Sequence, residues 1–197
     1  WVKVKIDITV DIQGDVDVSF DENLRGNVVM IDDSQKLVLA KNFRPSDIVS
    51  NNCEITLTAT VANPKIPAEE AKTAEYMAQN YPNCRSISYD VEITKDIVSG
   101  GSPYSSETLK KLAAPIEIRF AVPNEWRDGT VKMLRAHTDP GTGTVTVSEC
   151  QNLSSDKSWF ILSSDEFSTY TILYIPSGGG TGGSGGETSA YTLRYQS

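Results

Sequence analysis

The chain has 197 residues, 39% of them hydrophobic and 22% charged, and carries a net charge of −8. A chain of this size and balance is an acidic globular protein that can bury roughly 70% of its unfolded surface. The charge argues against nucleic acid, whose recognition begins with a basic patch that neutralises phosphates, and against anionic lipid. No apolar run nears the ~20 residues of a membrane span.

The chain opens directly on Trp1-Val2-Lys3-Val4 with no signal peptide, the opening expected of a fragment or a processed product. Cys53, Cys84 and Cys150 cannot all pair, and none has a CxxC neighbour. They read as small buried hydrophobes, with at most one bridge, between Cys53 and Cys84.

Residues 1–10 alternate, with Val2, Val4, Ile6, Ile8 and Val10 on one face, and predict a long half-buried strand. Val16, Val18 and Phe20 resume the alternation beyond Gly14. Val28 to Ile31 and Leu37 to Leu39 read as further strands, so residues 1–62 are expected to be a β-meander and a candidate subdomain. Asp15, Asp17 and Asp21 form the one acidic group that could be weighed as a calcium site, since hard cations take clustered carboxylates. Their spacing lacks the Gly and Glu of an EF-hand loop, and Asp15 and Asp17 fall on the solvent side of a strand. Glu54 to Ala62 alternates clearly.

Residues 63–176 read as a second unit. Pro67 suits the first position of a helix, Glu69 and Glu70 complement its dipole, and Ala68 to Asn80 is rich in helix formers. Ala71, Ala74, Met77 and Ala78 make its expected packing stripe. Ser86 to Thr94 is a strand, Ile97 to Ser102 a loop, and Ser105 or Ser106 can cap a helical turn holding Leu109 and Leu112. Five strands at roughly 10-residue spacing follow, near Pro115 to Val122, Thr130 to His137, Thr144 to Cys150, Ser158 to Ser163 and Phe167 to Ile175, the pattern of an antiparallel sandwich. Residues 177–187 are a glycine-rich linker with an r.m.s. reach of roughly 17 Å. Residues 188–197 hold one strand's worth of alternation, either a truncated next module or a strand that adds to a sheet edge.

In Phe167-Ser168-Thr169-Tyr170, a tyrosine entering a strand is expected to bury its ring and tie its hydroxyl to nearby backbone. From Glu69 to Ile175 the chain resembles an immunoglobulin-like module repeated in wall-attached surface proteins of Gram-positive gut bacteria. The stretches that carry the resemblance are Tyr89-Asp90-Val91, Ile116 to Pro123, Val131 to His137 and Phe167 to Tyr170. Ala190 to Ser197 is similar to the first strand of an internalin-type B repeat. The resemblance implies an extracellular, cell-wall-attached spacer or adhesive unit with neighbouring modules of the same chain as partners, and no catalytic residues. Isopeptide crosslinks occur in such proteins, but Lys3 and Lys5 sit on the polar face of their strand.

The expected fold is mainly β, an antiparallel sandwich with one embedded helix around 67–80. No cofactor is expected. His137-Thr138-Asp139 with Cys150 or a nearby serine is the one nucleophilic arrangement that can be assembled on paper, and His137 reads instead as a polar residue at a strand end. The alternative to a spacer is a carbohydrate-binding module, with a host glycan or matrix protein as partner. Its candidate aromatics are Trp1, Trp126, Trp159, Tyr76, Tyr81 and Tyr104. Trp126, with Arg127 and Asp128, lies in a turn with no strand face to bury against and is the preferred ligand-binding group.

Overall fold

The computed structural model describes residues 29–177 in full and, before them, the backbone of the strand β1, Lys3–Val10. The carboxylates Asp15, Asp17 and Asp21, the glycine-rich stretch beyond Ser177 and the tail lie outside the described residues, as do the side chains of Lys3 and Lys5. The elements that follow are β2 (Val29–Met30), α1 (Lys36–Ala40), β3 (Cys53–Ala62), α2 (Pro67–Asn80), β4 (Arg85–Ser99), β5 (Ser102–Leu109), β6 (Lys111–Ala121), β7 (Thr130–Thr138), β8 (Val145–Cys150), β9 (Trp159–Glu166) and β10 (Thr169–Ile175).

They form a β-sandwich. One sheet has the order β1-β3-β4-β10-β7-β8, with β5 also paired to β4, and the other has the order β2-β6-β9. All pairs are antiparallel except β1 with β3, which run parallel from Lys3↔Glu54 to Val10↔Val61. A parallel pair needs a long crossover, which the chain between these two strands supplies. The 15-residue β4 is the spine of the larger sheet. It pairs with β3 along one side; along the other it pairs with β10 through Arg85–Asp90 and with β5 through Ile93–Ser99.

Period-2 alternation accounts for the core. Leu57, Ala59 and Val61 of β3, Ile87, Tyr89, Val91 and Ile93 of β4, and Tyr170 and Ile172 of β10 face Ile116, Ile118, Phe120, Phe160 and Leu162 of the smaller sheet in one buried cluster. Phe120 lies at its centre, with ring centroids 5.7 Å from Tyr89 and 5.5 Å from Tyr170. Tyr170 is fully buried and its hydroxyl donates to the Glu166 carbonyl at 2.8 Å, as expected for a tyrosine entering a strand. Val29, Ile31 and Leu39 belong to the same cluster as residues from β3 to β10.

Two expected elements differ. Leu37 to Leu39 is helical, not extended. The Asp32 carboxylate accepts from Ser34 N–H at 2.9 Å and a 3-10 turn leads into α1. A strand would put Leu37 and Leu39 on one face, whereas the helix turns Leu39 into the core at 1% exposure and leaves Leu37 at 81%. The helical turn expected near Ser105 is the strand β5. Gly100 and Gly101 have φ of 58° and 82°, and Ser99 pairs with Ser102. That is a two-residue hairpin of the kind that needs positive φ at both central positions, and it folds the polar segment back along β4.

Helix α2 has the expected bounds but docks through a different face. Ala71, Ala74 and Ala78 are exposed, and the residues buried against the sheet are Glu69 and Thr73. The helix lies over β7 and β8, held by polar anchors rather than by an apolar stripe.

A second polar anchor closes the other end of the sandwich. Lys95 occupies an inward position of β4 between Ile93 and Ile97 and is 2% exposed. Its ammonium donates to Asp47 Oδ1 and Oδ2 at 3.0 and 3.1 Å and lies 3.2 Å from Glu107 Oε2. Burial pushes Asp47 up, but the Arg44 N–H and the Lys95 ammonium together hold it below the usual carboxylate range.

Candidate functional site

The turn Asn124–Trp126 aims its indole inward. Trp126 is 2% exposed and stacks on Tyr174 at 5.8 Å between centroids. The expectation of an exposed Trp126 platform is therefore corrected: the ring finds its apolar surface on β10 and closes the end of the sandwich. Arg127 Nε donates to the Val122 carbonyl at 3.3 Å, and Asp128 accepts from the Tyr174 hydroxyl at 2.9 Å. Gly129 passes so close that a Cβ there would lie 2.3 Å from Tyr174 Cε2 and 2.7 Å from the Ile175 carbonyl oxygen. Trp126, Arg127 and Asp128 are one structural joint.

His137 and Ser168, 31 positions apart, do meet, with Nδ1 2.7 Å from Oγ. The Ser168 hydroxyl donates to the Phe167 carbonyl at 2.6 Å. With its one proton directed there, Ser168 accepts from His137 in the tautomer that carries the proton on Nδ1. A serine nucleophile would need the reverse arrangement, with an imidazole nitrogen accepting its proton. Cys150 lies elsewhere, in a depression of about 290 Å³ between the β8 and β9 edges that also includes Arg135, Leu153 and Leu162. Burial pushes its thiol up to about 11, which disfavours the thiolate.

Next to this pair, the Glu69 carboxylate bridges three segments. Oε1 accepts from Thr138 N–H at 2.9 Å and Thr138 Oγ1–H at 2.8 Å, and Oε2 accepts from Thr169 N–H at 3.2 Å. Asp90, paired in register with Thr169, is 4% exposed. Burial, and after it the Glu92 charge, pushes it up from 3.8 to about 6. For an acid whose folded value is raised, the unfolded chain ionises first as pH rises. Stability is therefore whole below pH ~4, falls through the window up to ~6 and stays reduced above it, by roughly 2 kcal/mol. Asp90→Asn is expected to recover about that much at pH 7.5 and only about 0.5 kcal/mol at pH 4. Urea denaturation at the two pH values checks this, and an equal gain at both would assign the effect to something other than ionisation.

On the outer face, around the C-terminal half of α2, a set of partly exposed groups converges. Tyr81 donates its hydroxyl to Glu149, and Tyr76 approaches the same oxygen at 3.5 Å. Lys132 donates to Tyr81 Oη and to Glu149 Oε2, each at 2.8 Å, and its ammonium lies 4.8 Å from the centre of the Tyr81 ring. The rings of Tyr76 and Tyr81 are 6.3 Å apart and inclined at 49°. Lys132 and then Tyr81 hold Glu149 below the usual carboxylate range, while Glu149, before Tyr81, raises Lys132. Beside this network runs a groove of about 180 Å³, lined by Lys72, Glu75, Tyr76 and Gln79 of α2 and by Val145 and Val147 of β8.

Tyr76 and Tyr81 were among the aromatics singled out by residue type. Lys132 and Glu149 were not, because their pairing depends on β7 and β8 being neighbours under the helix. Of the other aromatics, Tyr104 is 63% exposed on β5, Trp159 is partly buried and Trp1 lies outside the described residues. Among the described residues no group of three or more His, Cys, Asp or Glu side chains could hold a metal, and Cys53, Cys84 and Cys150 are free thiols with no bridge between Cys53 and Cys84. Compared with known proteins, the chain matches no family model, and no curated protein matches it in sequence.

Proposed function

We propose that this chain is a non-catalytic module of a larger wall-attached surface protein, in which it serves as a spacer or adhesive unit. The observation that carries the reading is the direction of the strands. β1 and β10 run parallel to one another on either side of β4, since β1 is parallel to β3 and both β3 and β10 are antiparallel to β4. Lys3 is level with Glu54 and hence with Val98, whereas Tyr174 is level with Arg85. The start of β1 and the end of β10 are thus separated by most of the length of β4, about 40 Å at ~3.3 Å per residue. A chain that enters one end of a module and leaves the other adds length with each copy.

The polar joints agree with this. Glu69, Lys95 with Asp47, and His137 with Ser168 each tie distant segments together inside the fold. The resemblance of residues 69–175 to surface modules points the same way.

Two copies joined through residues 178–186 and measured by small-angle scattering test the reading. The maximum dimension is expected to exceed that of a single copy by about 40 Å or more, given the strand length. An increase of less than about half that, meaning copies folded side by side, would remove the basis for a spacer.

A further inference from the structure

We propose that the groove between α2 and β8, bounded by Tyr76, binds one uncharged pyranose ring of a glycan. The lining is mostly polar, with Gln79 and the Lys72–Glu75 pair, whose ammonium and carboxylate are 2.7 Å apart, while the half-buried Val145 and Val147 add a small aliphatic strip beside the Tyr76 ring. A pyranose has the matching division, with C–H faces that lie on aliphatic and aromatic surface and equatorial hydroxyls that need donors and acceptors at the rim. Tyr76 is the ring presented to the groove. Tyr81 does not line the groove; its hydroxyl is held by Lys132 and Glu149, and its ring supports Tyr76.

Charge selects against acidic and basic ligands. Lys72 and Lys132 are balanced by Glu75 and Glu149, each cation within 2.8 Å of its carboxylate. A sulfated or sialylated sugar would find no unpaired cation in the groove wall, whereas a neutral hydroxyl can share an ion pair already formed. The site is also preorganised. Tyr76 is fixed against Tyr81, and Tyr81 is held between Glu149 and Lys132, so little side-chain freedom remains to be lost on binding. The groove holds about 180 Å³, less than the ~300 Å³ at which pockets for drug-sized ligands begin. One ring fits, and a longer glycan would continue into solvent. A ligand this small implies a dissociation constant on the order of 1 mM, and useful avidity then requires several copies of the module.

The test is a titration of the isotope-labelled full chain with methyl β-glucopyranoside, methyl β-galactopyranoside and N-acetylglucosamine, followed by amide chemical shifts. Saturable shifts are expected for at least one sugar, confined to residues 72–81 and 145–149. Tyr76→Ala should weaken binding about tenfold or more and Tyr76→Phe should preserve it, since a tenfold change is the scale of one lost contact surface. Gln79→Ala, at an exposed helix position, should weaken it several-fold with the spectrum otherwise unchanged. Absence of saturable shifts with all three sugars up to about 50 mM, well above the affinity implied by the ring's size, would overturn the proposal. So would binding that Tyr76→Ala weakens by less than about threefold, or shifts along β8 produced only by an extended threonine- and valine-rich peptide, which would make the edge strand a peptide site.

Discussion

Lys95→Met is expected to lower the unfolding free energy by about 3–5 kcal/mol, the cost of leaving one member of a buried ion pair without its partner. Lys95 reaches both Asp47 oxygens inside the sandwich, and Asp47 is only 6% exposed. Methionine fills much of the lysine's volume, so the loss is mainly electrostatic. Among the described residues, the Arg44 N–H at 2.8 Å is then the one donor left to the Asp47 carboxylate. The double variant Lys95→Met with Asp47→Leu should recover at least half of the loss, because two matched apolar groups replace a charge that must otherwise be desolvated; it still forfeits about 1 kcal/mol for the turn's bond to Arg44. Urea denaturation of both proteins at pH 7 makes the comparison. If the double variant is as unstable as the single one, the stranded carboxylate is not the source of the cost.

Glu69→Ala is expected to cost about 3–4 kcal/mol by stripping the acceptor from two backbone amides and one hydroxyl where water has poor access. The amides of Thr138 and Thr169 are 69 and 100 positions away in sequence. Their hydrogen exchange should accelerate selectively, ahead of the core amides of β4. Glu69→Gln should fall between the two proteins, because one end of the amide still accepts from Thr138 while the other presents N–H groups to the Thr169 N–H. Were the alanine variant to lose stability without selective exposure of these two amides, loss of the acidic charge from the helix's first turn rather than the bridge would be responsible. Since α2 presents exposed alanines and no apolar stripe, this carboxylate does much of what hydrophobic packing does for other surface helices.

The parts of the fold governed by alternation were readable from residue order. The strands from β6 to β10 and the helix α2 lie within a few residues of where periodicity and the proline at position 67 placed them. Tyr170 could be assigned its hydroxyl bond from its position at a strand entry. Segments decided by short-range competition were not readable. Lys36 to Ala40 has the composition of a strand but continues the 3-10 turn that Asp32 caps; Ser102 to Leu109 has the composition of a loop but pairs with β4 beyond the Gly100-Gly101 turn.

The polar joints were hidden for a different reason. Lys95 continues the inward register from Ile87 through Ile93 to Ile97, and a lysine in that register is the available signal of a buried charge, though it does not name Asp47 as the partner. Trp126 was misjudged because a turn residue has no face of its own, and the Tyr174 surface that receives it is 48 positions away. The groove beside Tyr76 needs β8 at the sheet edge and α2 laid across it, a juxtaposition that residue spacing does not contain.

The parallel run of β1 beside β3 bears on how such a module would carry tension. A pull applied at the start of β1 and the end of β10 acts along the strand axes, whereas the ladder bonds lie across them. The eight register pairs from Lys3↔Glu54 to Val10↔Val61 would then be strained together, in shear, instead of peeling one at a time. β10 meets the same load with a neighbour on either side, β4 and β7. The strand order that sets the start of β1 and the end of β10 toward opposite ends of β4 therefore also places both strands in the mechanically resistant orientation.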